Sequence, residues 1–542
     1  MSSQSTSSTP SLNVPLNIQR TTSLATNIFP WNNLPTELQT TILCLASTRL
    51  PTHIAPIHFG LVSHCWRALT WTIHSWWTKV DLDFDPPFVG DPITTDDVHK
   101  IGSAYLWLSR AGNRPTTINI THRDPRKKDA TRGHYFDLYA KLFKHEVPLN
   151  IGNLVLNVHP HILGTVLGFL SGGCKGLKQL DVMNIWDHRF LERNQAPAVP
   201  FNPTCGTVLY PSLNELTIVD FSPGSMLIHH LATSGLSSCA NLTHLTISTS
   251  DQHPNLKYFD TIYPILRHAP KLSTLGLTIP CWTTNFEFTT PPVPIDLQDL
   301  KQLTIHISRS STTGSGRPLT NPRPILQSLS LPSLQSLALI NLHEEQRSPC
   351  VVRAIADLGY RSNFSLTRLS IQGFKLDDLR LIGLLRSLLT LERLDLADCR
   401  LDCINLLRAL KYESSSTSTA TATAAADVTT TPCFLPRLRT FQLLDTLDGQ
   451  AHHLGFLSTS TNTSMVRFLL ELVMSRWVIP VGDPVVQWQE VTILIWPLSD
   501  LGVWDEGERE MLRWFGDQQG IEVELVEFGR GEGEGMDVDV DE

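Results

Sequence analysis

The chain has 542 residues, 41% hydrophobic and 18% charged, with a formal net charge of −9. That composition fits a folded, soluble protein, and the length implies several domains unless a repeat lets one domain keep growing. The acidic balance gives no reason to expect nucleic-acid binding, and the lack of any run of about 18 apolar residues excludes a simple transmembrane helix.

Residues 1–28 are rich in Ser and Thr, and their one basic residue is Arg20. With no apolar run behind a basic start, they read as a disordered arm rather than a signal peptide. The ten cysteines are scattered and form no Cys-x-x-Cys pair. This favours a reducing compartment over a disulfide framework.

The first legible element is "NNLPTELQTTILCLAS", Asn32 to Ser47. Pro35 belongs in the first turn of a helix, where its missing N–H costs nothing. Asn33 is a candidate cap, and Thr36 with Gln39 offers an alternative capping box. Leu38, Ile42 and Leu45 then fall on one face at i, i+4 and i+7. A second stretch, "IAPIHFGLVSHCWRALT", sets Ile57, Leu61, Cys65 and Leu69 in one stripe, with Val62 and Trp66 beside it. Behind it, "WTIHSWWTKVDLDF" runs into a strand. Two or three short helices have too little core to stand alone. They need a partner chain, the adjoining domain, or both.

In order and spacing, Leu34, Pro35, Glu37, Leu38, Ile42, Leu43, Leu61, Val62, Ser63, Trp66 and Arg67 resemble the signature of the F-box. The resemblance covers residues 29–78, and the Trp-rich exit is similar to that of many fungal F-box proteins. His64 and Cys65 stand where the family usually has a basic pair. The resemblance implies docking on the SKP-type adaptor of a cullin–RING ubiquitin ligase. Carried over by position, the adaptor-facing residues are Leu34, Pro35, Leu38, Ile42, Leu61, Val62 and Trp66. The competing expectation is a plain helical cap that closes the open end of the following domain.

From there the chain repeats one short unit. Leu213, Leu216 and Ile218 set an L-x-x-L-x-L pattern. It returns at Leu242, Leu272, Leu300, Leu334, Leu366 and Leu391, in steps of 29, 30, 28, 34, 32 and 25 residues. Looser copies begin at Trp77, Pro115, Ile151, Leu177, Leu438 and Trp488, giving thirteen candidate units. The L-x-L part alternates like a strand with one buried face. Such a strand cannot bury that face alone, whereas parallel stacking of neighbours makes a continuous core. Return helices are legible in "YFDTIYPILRHAP", "LDDLRLIGLLRSLL" and "MVRFLLELVMSRW". The expected fold is therefore α/β. A small helical F-box-like domain precedes an irregular, cysteine-type leucine-rich-repeat solenoid spanning 79–528. Segments 308–324 and 413–432 read as loops, and 529–542, with six acidic residues in "GEGEGMDVDVDE", as an acidic disordered tail.

No catalytic pattern stands out. The His pairs at 229–230 and 452–453, and "HPH" at 159–161, lack Cys or carboxylate partners at ligand spacing. "GRGEGEG", Gly529 to Gly535, has no strand–turn–helix around it, and its glutamates would repel phosphate. No enzyme activity, cofactor or metal is expected. Residues between the strand leucines point outward, and His244, Gln302, His306, Arg368, Gln372, Arg393 and Asp395 are the candidate substrate-binding residues. Arg368 and Arg393 should be neighbours, either as a small anion-reading patch or as a solvated surface balanced by Asp395.

The resemblance implies a substrate-recognition subunit of an SCF-type ubiquitin ligase, cytoplasmic or nuclear. Its partners would be the SKP-type adaptor, through it a cullin, and a protein target, with neither nucleic acid nor membrane. The alternative is a ligase-independent leucine-rich-repeat scaffold with a helical N-terminal cap.

Overall fold

The computed structural model describes residues 31–48, 55–84, 95–122, 150–158, 176–184, 211–220, 240–249, 258–279, 294–307, 322–341, 350–399, 403–411, 434–446 and 489–496, with a few isolated positions besides. The arm 1–28, the loop 413–432, the tail 529–542, most of 308–324 and most of "MVRFLLELVMSRW" lie outside them. The chain divides into two compact units, Met1–Trp76 and Trp77–Glu542.

The first unit is helical. A 3-10 turn at Trp31–Asn33 precedes α1 (Thr36–Ser47), α2 (Ala55–Val62) and α3 (His64–Thr72). Neither expected cap of α1 is used. Asn33 is taken up in the 3-10 turn, and Pro35, held extended at φ −53° and ψ 143°, occupies the cap position without a side-chain hydrogen bond. The second apolar stretch divides in two. Ser63 is extended, and its hydroxyl accepts from the Trp66 N–H at 3.2 Å, which starts α3 afresh. The break disrupts the expected stripe: Ile57, Leu61 and Cys65 are exposed, and Leu69 alone is buried.

The second unit is built on one 13-stranded parallel sheet. Its strands begin with β1 (Lys79–Phe84), β2 (Thr116–His122), β3 (Ile151–Asn157), β4 (Gln179–Asn184), β5 (Glu215–Asp220), β6 (His244–Thr249) and β7 (Thr274–Ile279). A two-residue strand, β8 (Ile295–Asp296), precedes β9 (Gln302–Ile307), and another, β10 (Leu329–Ser330), precedes β11 (Ser336–Asn341). The sheet ends with β12 (Arg368–Gln372), β13 (Arg393–Ala397), β14 (Thr440–Thr446) and β15 (Glu490–Trp496). Strand order follows chain order throughout. Each of the thirteen candidate units contributes one strand of the sheet. This α/β arrangement is compatible with a repeat solenoid.

The register explains why the leucines recur. Leu303, Leu337, Leu369, Leu394 and Phe441 are ladder partners in one row, as are Ile305, Leu339, Ile371, Leu396 and Leu443 in the next. All ten are sealed from solvent. Burying each is worth roughly 1.5–3 kcal/mol. One unit departs from the pattern. Pro115 is exposed and Thr116 is buried in its place, next to a register shift at which Gly152 of β3 has no partner on β2. Just ahead of β1, Trp77 is buried edge-on against Trp107, with the Arg110 guanidinium 4.7 Å above its ring.

Return helices cover the buried face. The described ones are α4 (Thr95–Ser109), α5 (Tyr258–Arg267), α6 (Arg323–Gln327), α7 (Cys350–Ser362), α8 (Asp378–Ser387) and α9 (Cys403–Leu410). Apolar residues such as Leu358, Leu381, Leu385, Leu406 and Leu410 join the sheet core. The short β8 and β10 pair with each other in a separate two-stranded sheet.

Polar side chains knit one unit to the next. Asn341 is buried and donates from Nδ2 to the Gly373 carbonyl at 2.8 Å. Gly373 has φ +72°, and a Cβ there would lie 1.9 Å from the Asn341 carbonyl oxygen, so only glycine fits. Cys399, the one expected turn residue, is buried with Sγ 3.2 Å from the Ile371 carbonyl. Arg361 donates from Nε to the Leu329 carbonyl at 2.9 Å and from Nη2 to that of Leu326. Arg476 is fully buried and bonds the carbonyls of Leu410, at 2.7 Å, and of Phe434 and Leu435. It thereby ties together both sides of segment 412–433. Three carbonyl acceptors on the fork make a buried guanidinium tolerable. Among the described residues no helix is long and apolar enough to cross a membrane.

Candidate protein-docking surfaces

The helical unit has a narrow core. Leu43, Ala55, Pro56, Gly60, Leu69, Thr70, Ile73 and Trp76 are buried. An aromatic column supplies much of the rest. The Trp31 ring lies 4.6 Å from that of Trp66, Trp66 meets Phe59 at 5.9 Å, and Phe59 stacks on Trp76 at 5.6 Å. Arg67 adds a tie from Nε to the Gly60 carbonyl at 3.0 Å, joining α3 to α2. The Trp31 indole N–H is shut away from solvent with no acceptor among the described residues. That costs about 1–3 kcal/mol, which the ring contacts must offset.

What this core leaves outside is more informative. Twelve large apolar residues are exposed among the described residues, and seven of them lie in the helical unit: Leu38, Ile42, Leu45, Ile57, Leu61, Val62 and Trp71. Leu38, Ile42 and Leu45 form one face of α1, 51%, 41% and 66% exposed. Leu61 and Val62 end α2, with Leu61 at 73%. A unit that buries so few residues thus keeps many of its largest apolar side chains in water.

Of the adaptor-facing candidates, Leu38, Ile42, Leu61 and Val62 are among these, Pro35 is exposed at the head of α1, and Leu34 is half-buried. Trp66 differs from the others. It is half-buried and its ring is engaged by Trp31 and Phe59, so it works inside the unit. Ile57 and Trp71 escaped the site reading. Ile57 was placed on one stripe with Leu61, Cys65 and Leu69, which the break at Ser63 disrupts, and neither Ile57 nor Trp71 is a signature position of the F-box.

On the sheet, alternate residues face away from the core. His244, Thr274, Gln302, Ser336, Arg368 and Arg393 are successive ladder partners, so four of the substrate-face candidates share one transverse row. Asp395 lies in the second row, and His306 and Gln372 stand in the third, either side of Ile340. At the usual strand spacing of about 4.8 Å, Arg368 and Arg393 are immediate neighbours.

The two arginines are not equivalent. Arg393 donates from Nε to both carboxylate oxygens of Asp395, at 3.0 and 2.9 Å, and reaches Gln442 Oε1 at 3.4 Å. Arg368 is exposed and has no ion-pair partner among the described residues. The pair therefore presents one committed and one open guanidinium, which matches the balanced-surface expectation more closely than a two-arginine anion clamp. His306 is half-buried, and the loss of solvent lowers its pKa below 6.5. Nearer the first strands the outward charges are mostly acidic, Asp81, Asp83, Asp181 and Glu215 on β1, β4 and β5, with Lys79 3.7 Å from Asp81.

Among the described residues no group of three or more His, Cys, Asp or Glu is placed to hold a metal ion. The His pairs noted in the sequence and the Gly529–Gly535 run lie outside the described residues. No family model matches the chain, and no curated protein matches it.

Proposed function

We propose that the chain is the substrate-recognition subunit of an SCF-type cullin–RING ubiquitin ligase. The helical unit acts as an F-box that docks on the SKP-type adaptor, and the sheet unit acts as a leucine-rich-repeat solenoid that holds a protein target. Its own side chains make and break no bonds. The mechanism is proximity: a target held on the open sheet face is brought near the ubiquitin-carrying enzyme. The setting would be cytoplasm or nucleus.

One observation carries this reading. Four of the seven residues that the F-box resemblance assigns to the adaptor, Leu38, Ile42, Leu61 and Val62, are large apolar side chains left in water. An exposed apolar set on so small a unit suits a protein interface. The order of strands, one per leucine-rich unit, supports the target-holding half of the reading.

The test is binding of purified SKP-type adaptor to the full chain, with wild type compared against a Leu34→Ala, Pro35→Ala double variant. Saturable binding by wild type and loss in the variant supports the proposal. A folded wild type that does not bind would leave a ligase-independent repeat scaffold, with the helices as its cap.

A further inference from the structure

Leu34 and Pro35 stand ahead of α1, between the 3-10 turn and the first residue of the helix. The side chain of Gln39 adds two bonds to those the backbone makes. Its Nε2 donates to the Trp31 carbonyl at 3.0 Å and to the Leu34 carbonyl at 2.9 Å, so both amide hydrogens are used. Within the loop so closed, the Leu34 N–H donates to Trp31 O at 3.1 Å, and the Gln39 N–H to Pro35 O at 3.0 Å. Trp31 is itself packed against the Trp66 ring. The clip thus runs from the first turn of α1, across Leu34–Pro35, to the aromatic column of the unit.

We propose that Gln39 is a positioning residue for partner docking: its amide holds Leu34 and Pro35 in the shape that the adaptor meets, without touching the adaptor through its own hydrogen bonds. This rests on the adaptor-docking reading above. Leu38 and Ile42 ride on a regular helix and need no such help. Leu34 and Pro35 have only one backbone bond each, from the Leu34 N–H and to the Pro35 carbonyl, so without the amide more of their ordering falls to the moment of binding, where it weakens association.

The experiment uses the full chain with two variants. Gln39→Met keeps the length and removes both donors. Gln39→Glu keeps the shape but offers only acceptors to the two carbonyls, while its charge suits the first turn of a helix. Three quantities are measured: thermal melting, hydrogen exchange of the peptide covering residues 31–38, and affinity for purified SKP-type adaptor by calorimetric titration. Both variants are expected to melt like wild type and to exchange faster over 31–38. Adaptor affinity should fall about tenfold for Gln39→Met and further for Gln39→Glu. Equal affinity of the variants and a binding wild type overturns the role of Gln39 alone, as does unchanged exchange over 31–38. A folded wild type that fails to bind overturns the docking reading, and the role of Gln39 with it.

Discussion

In the sheet unit, Leu337, Leu369 and Leu394 stand in one ladder row with no exposure to water, while in the helical unit Leu38, Leu45 and Leu61 face it. The same residue type serves two ends. In the sheet each strand meets a neighbour of the same pattern, so an apolar face that one strand cannot bury is covered by the next. In the helical unit there is too little chain to cover what the sequence provides, and the surplus remains on α1 and α2. Leucine in these sheet rows is therefore core, whereas on α1 and α2 only Leu43 is buried and Leu38, Leu45 and Leu61 stay at the surface.

Substitutions sharpen this contrast, and the largest effect belongs to the sheet. Leu369→Ala removes a fully buried side chain between two others, and should cost about 2–5 kcal/mol in urea unfolding of the full chain. A loss below about 1 kcal/mol would contradict a close-packed ladder. Next is Arg476→Met, which strands three buried carbonyls around segment 412–433. It should cost at least about 2 kcal/mol, since each unmet group forfeits roughly 1–3. The same variant should also speed hydrogen exchange in α9 and β14 ahead of the other strands.

Leu61→Ser asks the opposite question. An exposed leucine should yield a stability change within about 0.5 kcal/mol, yet adaptor binding should weaken markedly. A clear loss of stability would mean that Leu61 belongs to a core after all. The smallest effect concerns pH. Burial lowers the His306 pKa below its unfolded value of 6.5, so the folded state resists protonation. The stability this confers is complete above the unfolded value, shrinks as pH falls through it and is lost below the folded one. His306→Gln should therefore flatten, slightly, the acid side of the stability profile between about pH 7 and pH 5.

How much of this was legible from residues alone differs between the units. The repeat spacing placed a strand in every one of the thirteen units, because an alternation sealed by stacking has to recur. The rows of the open face followed from the same alternation, including the neighbouring places of Arg368 and Arg393. Features set by single side-chain geometry were not legible. Ser63 breaks the second apolar stretch by capping, and a helical period drawn through it wrongly joined Ile57, Leu61 and Cys65 to Leu69. The two-residue β8 and β10 are too short to show any alternation. Gln39 was read as half of a capping box, yet it serves carbonyls rather than backbone N–H groups. Asn341 was missed because it stands two residues after Leu339, one place earlier than Cys399 stands after Leu396. Trp66 was legible as a helical apolar residue, but its ring partners, Trp31 and Phe59, follow from the packing of three separate elements.

The central claim is that apolar surface on α1 and α2 is reserved for the SKP-type adaptor while the sheet needs no such cover. Hydrogen exchange of the full chain, with and without saturating adaptor, tests it most directly. The account expects slowed exchange in peptides covering 34–48 and 55–66, and none across the buried rows of β9 to β13. Unchanged exchange in those helical peptides, or protection confined to the sheet, would contradict it.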